Sequence, residues 1–269
     1  MTVNSRHISR RRFLARSLAA GALATGARSP AVVRAAAGKW GDLTGRLVYD
    51  GKAPERKKLK VDKDVDCCGK FDIRDETLMV GKDGGLGNVY VYVRTRGVEI
   101  CPELEKSAEK QVVLDNRDCI FIPHCMTIWY PKQEFQIVNS DPVAQNVAYS
   151  PLGDRPANII LPPPPAKAAK ATWKFNRKQS RPVPIACNYH PWESAYILPR
   201  DNPYMAVTKP DGTFTIAKLP AGELEFQVWH EKVNYLATSK WTKGRFKMTV
   251  KPGTNDLGTI KNKPEWVKG

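Results

Sequence analysis

A thiol and an imidazole stand two residues apart in Cys187-Asn188-Tyr189-His190, within a Pro-bounded loop, and a carboxylate follows at Glu193. The loop joins two apolar runs, residues 182–187 and 195–198, and a strand-loop-strand of this kind can aim soft or borderline donors at one metal ion. Cys187, His190 and Glu193 are also donors that Zn²⁺ accepts, with Gln145 or water in a fourth position.

The spacing resembles the copper-binding loop of cupredoxins of the amicyanin and plastocyanin kind, where Cys-x-x-His-x-x-Met supplies three of four ligands. The resemblance extends upstream, through Phe121-Ile122-Pro123-His124, the alternating Glu134-Phe135-Gln136-Ile137-Val138, and Asn139-Ser140-Asp141-Pro142-Val143-Ala144-Gln145-Asn146. It implies a fourth ligand from this earlier loop. Gln145 stands where the family has His, and Glu193 where it has Met. An amide oxygen and a carboxylate in place of an imidazole and a thioether favour the oxidised over the reduced ion, so bound copper would have a low potential and an atypical spectrum. Copper, zinc and no metal at all remain three readings of the set Gln145, Cys187, His190 and Glu193. In the last, Cys187 is a small buried residue and His190 a hydrogen-bonding one.

The first 37 residues contain seven Arg and no acid, and run Ser9-Arg10-Arg11-Arg12-Phe13-Leu14 into small apolar residues. That is the layout of a twin-arginine export signal, with a cleavage site at Ala35-Ala36-Ala37, and it predicts a periplasmic or otherwise exported protein. The whole chain has formal charge +16. Without the seven Arg, 36 basic residues face 27 acids, leaving near +9. A moderately basic exported surface suits an acidic redox protein partner or an anionic envelope component. It carries no basic-aromatic motif for nucleic acid. Nothing after residue 37 is apolar enough to span a bilayer.

The elements that must position the loop read as β throughout. Short β-branched and aromatic runs are separated by 21 Pro and 19 Gly, and only residues 102–111 show helical spacing, Leu104 and Ala108 lying four apart. Asn88-Val89-Tyr90-Val91-Tyr92-Val93-Arg94 has β-formers on both faces, which predicts a central strand. The series Asp211-Gly212-Thr213-Phe214-Thr215-Ile216, Leu219-Pro220-Ala221-Gly222 and residues 225–230 resembles the carboxypeptidase regulatory-like, transthyretin-type β-sandwich, and Gly45 looks like part of its first strand. The two resemblances imply an all-β chain: a Greek-key cupredoxin-like sandwich, residues 111–200, inserted into a sandwich of residues 38–100 and 203–269. They match exported bacterial proteins called methylamine-utilisation-like. Strands of the insert are expected at 111–115, 119–122, 126–130, 134–139, 157–161, 171–175, 183–187 and 195–198. Pro162 to Pro165 cannot join a ladder and form a stiff exposed loop.

The other donors have structural readings. His124 and His230 end strands and are expected to be hydrogen-bonded parts of the sandwiches. Of six Cys, one of Cys67 and Cys68 is expected to bridge to Cys119 or Cys125, tying the insert to the outer sandwich. A metal site at Asp66-Cys67-Cys68-Gly69 lacks a further Cys or His at ligand spacing. A multicopper oxidase or nitrite reductase needs many His ligands, whereas only His124, His190 and His230 follow the export segment. The chain therefore reads as a non-enzymatic cupredoxin-like protein that carries an electron or holds a metal. The alternative is a metal-free envelope module that binds or builds through its surfaces.

Overall fold

The computed structural model describes residues 40–267, so the segment read as an export signal lies outside the described residues. From residue 40 the chain first forms β1 (Trp40–Tyr49) and, after a long loop holding the four-residue helix α1 (Val65–Cys68), β2 (Tyr90–Val93). The helix α2 (Pro102–Ser107) leads into nine consecutive strands. These are β3 (Gln111–Arg117), β4 (Ile120–Ile122), β5 (Cys125–Trp129), β6 (Glu134–Asn139), β7 (Gln145–Tyr149), β8 (Ala157–Leu161), β9 (Lys170–Trp173), β10 (Val183–Ala186) and β11 (Ser194–Arg200). The chain then returns through β12 (Met205–Val207), β13 (Thr213–Pro220), β14 (Gly222–His230), β15 (Asn234–Tyr235), β16 (Arg245–Val250) and β17 (Gly253–Asn262).

The protein is all-β, built as face-to-face sheets. Strands β3 to β11 divide into a four-stranded sheet, ordered β4-β3-β6-β9, and a five-stranded sheet, ordered β5-β11-β10-β7-β8. Their inner faces share one core that includes Phe121, Phe135, Ile137, Val147, Tyr149, Ile185 and Ile197. The strands on either side of this run form the sheets β13-β1-β17 and β12-β2-β14-β15, with β16 also on β14, around a second core of Leu43, Leu47, Val91, Val93, Phe214, Phe226 and Val228.

Period-two alternation explains how the two cores meet. Strand β2 is buried at all four positions. Val91 and Val93 enter the core of β1, β13 and β14, while Tyr90 and Tyr92 turn the opposite way and pack with Cys125, Leu198 and Trp229. Their hydroxyls donate to the carbonyls of Tyr196 (2.7 Å) and Ser180 (2.8 Å). A buried phenol that finds such a partner keeps its apolar gain without an unsatisfied polar group.

The Asp211-Gly212 turn requires its glycine. Gly212 has φ +81°, and a Cβ there would stand 2.0 Å from the Leu47 carbonyl oxygen, which itself accepts from the Leu86 amide at 2.9 Å. The helix read over 102–111 is shorter, because β3 begins at Gln111. Strand β7 was not expected. It opens on Gln145 and Asn146, polar residues that sequence patterning assigns to a loop, yet both are buried. Among the described residues, no helix is long and apolar enough to cross a membrane.

Candidate metal centre

Cys187 faces inward because it continues the alternation of β10. Val183 and Ile185 are buried while Pro184 and Ala186 are exposed, and Cys187 is the next inward position. On the neighbouring β7, Gln145 shares the inward face of Val147 and Tyr149. Residues 187–193 then fold back on themselves, with the Cys187 amide bonded to the Glu193 carbonyl (3.3 Å) and the Glu193 amide to the His190 carbonyl (2.9 Å). Asn146 fastens the turn, its Oδ1 accepting from the amides of Asn188 (2.6 Å) and Tyr189 (3.3 Å).

These constraints bring Gln145, Cys187, His190 and Glu193 together at one end of the sandwich. None of the four is more than 3 % exposed. The donor atoms of Cys187, His190 and Glu193 all lie within 4.8 Å of one another. His190 Nδ1 is 2.7 Å from Gln145 Oε1, 3.1 Å from Glu193 Oε1 and 3.8 Å from Cys187 Sγ, and Cys187 Sγ is 3.6 Å from Gln145 Oε1. Four donors about 2.0–2.3 Å from one ion at tetrahedral angles would stand about 3.3–3.8 Å apart. The two sulfur separations fall in that range, and the two shorter ones, at His190 Nδ1, are a hydrogen bond to Gln145 and an ion pair with Glu193 that an ion would replace.

The supporting residues fix which atoms face inward. Asp141, itself buried, accepts from Gln145 Nε2 (2.9 Å) and from the Cys119 amide (3.2 Å), so the amide oxygen of Gln145 is left facing His190 and Cys187. Burial pushes the Asp141 carboxyl up, against the hydrogen bonds from Gln145 and Cys119. The other imidazole nitrogen, Nε2 of His190, lies 2.8 Å from Asp64 Oδ2. A carboxylate on the outer nitrogen orients the ring and raises its basicity as a ligand. Burial alone would lower the His190 pKa, but Cys187, Glu193 and Asp64 around the ring outweigh it and raise it to about 10. Without an ion, both ring nitrogens face acceptors and the ring is an imidazolium.

Glu193 is the least fully hydrogen-bonded donor of the set. Its carboxylate is 1 % exposed and its oxygens meet no well-aligned donor, while Oε1 pairs with the His190 ring, 3.1 Å from Nδ1. Burial pushes its carboxyl up, with His190 pulling the other way. A buried carboxylate is costly unless a cation or a proton sits beside it; without an ion the His190 imidazolium does so, and a bound ion would take that place.

Asp64 was hidden from sequence reasoning, because it sits in a charged loop, half-exposed, 126 residues from His190. His124 and His230 lie outside the cluster. The His124 ring contacts the Ser194 carbonyl (2.9 Å) and the Glu231 carboxylate (3.1 Å), and burial, which lowers its pKa, is outweighed by Glu231 and Glu76. His230 is 1 % exposed and burial lowers its pKa to about 4, so it is neutral. The disulfide joins Cys68 to Cys119. Cys125 is a buried free thiol 3.8 Å from the Asn88 carbonyl.

No known sequence family matches this chain, and no curated protein does. Among solved structures it is similar to the amicyanin of Paracoccus versutus, at 12% identity over 41% of this chain and 97% of amicyanin, with a TM-score of 0.28. A purple cupredoxin from Nitrosopumilus maritimus is 14% identical over 34% of this chain and 100% of its own, with a TM-score of 0.26. A copper-containing nitrite reductase from Thermus scotoductus SA-01 is 13% identical over 35% of this chain, with a TM-score of 0.28, and this chain spans only 23% of that enzyme.

Proposed function

We propose that this protein binds a copper ion through Gln145, Cys187, His190 and Glu193 and serves as an exported, non-enzymatic electron carrier or metal holder. The carrying observation is that a thiol, an imidazole nitrogen, an amide oxygen and the Glu193 carboxylate are buried together, the donor atoms of Cys187, His190 and Glu193 all within 4.8 Å of one another. Bound copper would exchange one electron between Cu(II) and Cu(I). The chain's part is to hold the donors still, keep water from them, and orient His190 through Asp64 and Gln145 through Asp141. The oxygen donors of Gln145 and Glu193 favour Cu(II) and so a low potential. The same oxygens favour a second reading, Zn²⁺ in the same four positions.

The organisation read from the sequence fits this role: residues 111–200 as a cupredoxin-like domain, carried by a carboxypeptidase regulatory-like sandwich of residues 38–100 and 203–269, in a methylamine-utilisation-like protein delivered by the twin-arginine route. Replacing Arg10 and Arg11 by Lys would strand the precursor in the cytoplasm, and unchanged secretion would remove export from the proposal. The central test is metal analysis and absorption spectroscopy of the full exported protein, followed by titration with Cu(II), Cu(I) and Zn²⁺. One copper per chain with an intense thiolate-to-copper band supports the copper reading, and stoichiometric zinc without copper supports the second. Folded protein that takes up neither refutes both and leaves a metal-free envelope module.

A further inference from the structure

Three cysteine sulfurs meet beside the candidate centre, and the centre uses none of them. Cys68 and Cys119 form a disulfide, and the Cys67 Sγ lies 4.0 Å from the Cys119 Sγ. That is about 2 Å short of bonding distance. Cys119 is held on both sides, its amide donating to Asp141 (3.2 Å) and its carbonyl accepting from Trp192 Nε1 (2.9 Å). Its rivals for the bridge are consecutive residues of the four-residue helix α1. Cys68 and Cys119 are fully buried, whereas Cys67 is half-buried. Solvent therefore meets this cluster at Cys67.

We propose that Cys67, Cys68 and Cys119 are a thiol–disulfide exchange site, in which Cys119 is the fixed sulfur, the bridge passes between Cys68 and Cys67, and Cys67 is where an external dithiol reaches the buried bond. The site stands whether or not the neighbouring centre holds an ion. In the internal step the Cys67 thiol loses its proton and the thiolate attacks Cys119 Sγ. The Cys67–Cys119 bond forms as the Cys68–Cys119 bond breaks, and Cys68 leaves as a thiolate that takes up a proton. No electron is gained or lost. An external dithiol then attacks Cys67 Sγ and expels Cys119 as a thiolate. The second thiol of the reagent attacks its first sulfur and releases Cys67. The reagent leaves as a disulfide, and two electrons and two protons have passed to the protein.

Burial and the Asp141 carboxylate push the Cys67 thiol up, as does Asp64, against Lys70 and His190. The thiol is thus protonated at rest, and the bridge stays on Cys68 until base or a reductant engages Cys67. Opening the bridge also unties α1 from the β3–β4 turn, and Asp64 precedes that helix.

The test uses two variants of the full chain, with dithiothreitol as the dithiol. Cys68→Ser leaves five cysteines. The proposal expects Cys67 and Cys119 to bridge in it, so that alkylation after denaturation labels only Cys101, Cys125 and Cys187. Five labelled cysteines in folded C68S would overturn it. Cys67→Ser keeps the native bridge, and the proposal expects dithiothreitol to open it at least about tenfold more slowly than in wild type, since direct attack must reach a buried bond. Equal rates would overturn the proposal even if C68S does not fold.

Discussion

Replacing Asp64 by Asn tests whether the centre is organised as a ligand set with an outer shell. The change preserves shape and removes the charge that faces His190 Nε2 across 2.8 Å. Loss of such a partner costs a metal site about 10- to 100-fold in affinity, or about 1.4–2.7 kcal/mol. Asp64 is 47 % exposed at its side chain, so solvent screens its charge and the lower half of that range is expected. The assay is competitive titration of Cu(II) or Zn²⁺ against a chelator at pH 7, for wild type, D64N and Glu193→Gln. Glu193→Gln should lose more, because it alters a donor rather than a support. The metal-free protein gives an independent readout, since three acceptors hold His190 at about 10. Removing one of them should lower the pKa seen in the His190 ring resonances. If D64N binds metal as tightly as wild type and leaves that titration unmoved, Asp64 does not orient His190 and the reasoning about the outer shell fails.

His230 should make the protein acid-sensitive. Its folded pKa of about 4 lies below the ordinary 6.5, so the unfolded chain binds the proton first. Stability is full above pH 6.5 and is lost as pH falls towards 4, by about 3 kcal/mol. His124, whose pKa is raised, works in the opposite sense, adding stability below 6.5 that is lost as pH rises through its folded pKa. Urea unfolding of wild type and His230→Gln at pH 7 and pH 4 isolates the first term, and an equal acid loss in both proteins would contradict it. The double change Gln145→His and Glu193→Met completes a thiolate, two-imidazole and thioether set, and should bring up a blue charge-transfer band with copper. A folded double variant that takes up no copper would show that these positions do not share an ion. Cys119→Ser removes the sulfur common to both bridges and opens a loop with 51 residues of sequence separation. On the chain-entropy account this costs about 4 kcal/mol, and for a protein of this size about 10 °C or more in thermal midpoint. A midpoint unchanged in calorimetry would mean the bridge constrains little.

Much of the centre is legible in the primary structure because its ligand loop is local. The pattern Val183, Ile185, Cys187 fixes the inward face by strand alternation alone, and three-residue steps carry it to His190 and Glu193. The all-β class follows equally from short β-branched runs and their turns, and the two-faced pattern of Tyr90-Val91-Tyr92-Val93 marks a strand covered on both sides. Other features have no local signature. Strand β7 begins with Gln145 and Asn146, and polar residues enter a core only when other groups satisfy them, here Asp141, Asn158 and the 188–189 backbone. Asp64 lies in a loop without periodicity, so its pairing with His190 arises from how α1 packs over the end of the sandwich. Composition could not choose between Cys67 and Cys68, or between Cys119 and Cys125. Tertiary packing decided both: it set Cys119 against α1 and buried Cys125 beside Tyr90 and Trp229, because a disulfide needs two Cβ atoms within about 4.5 Å and sequence spacing does not specify that distance.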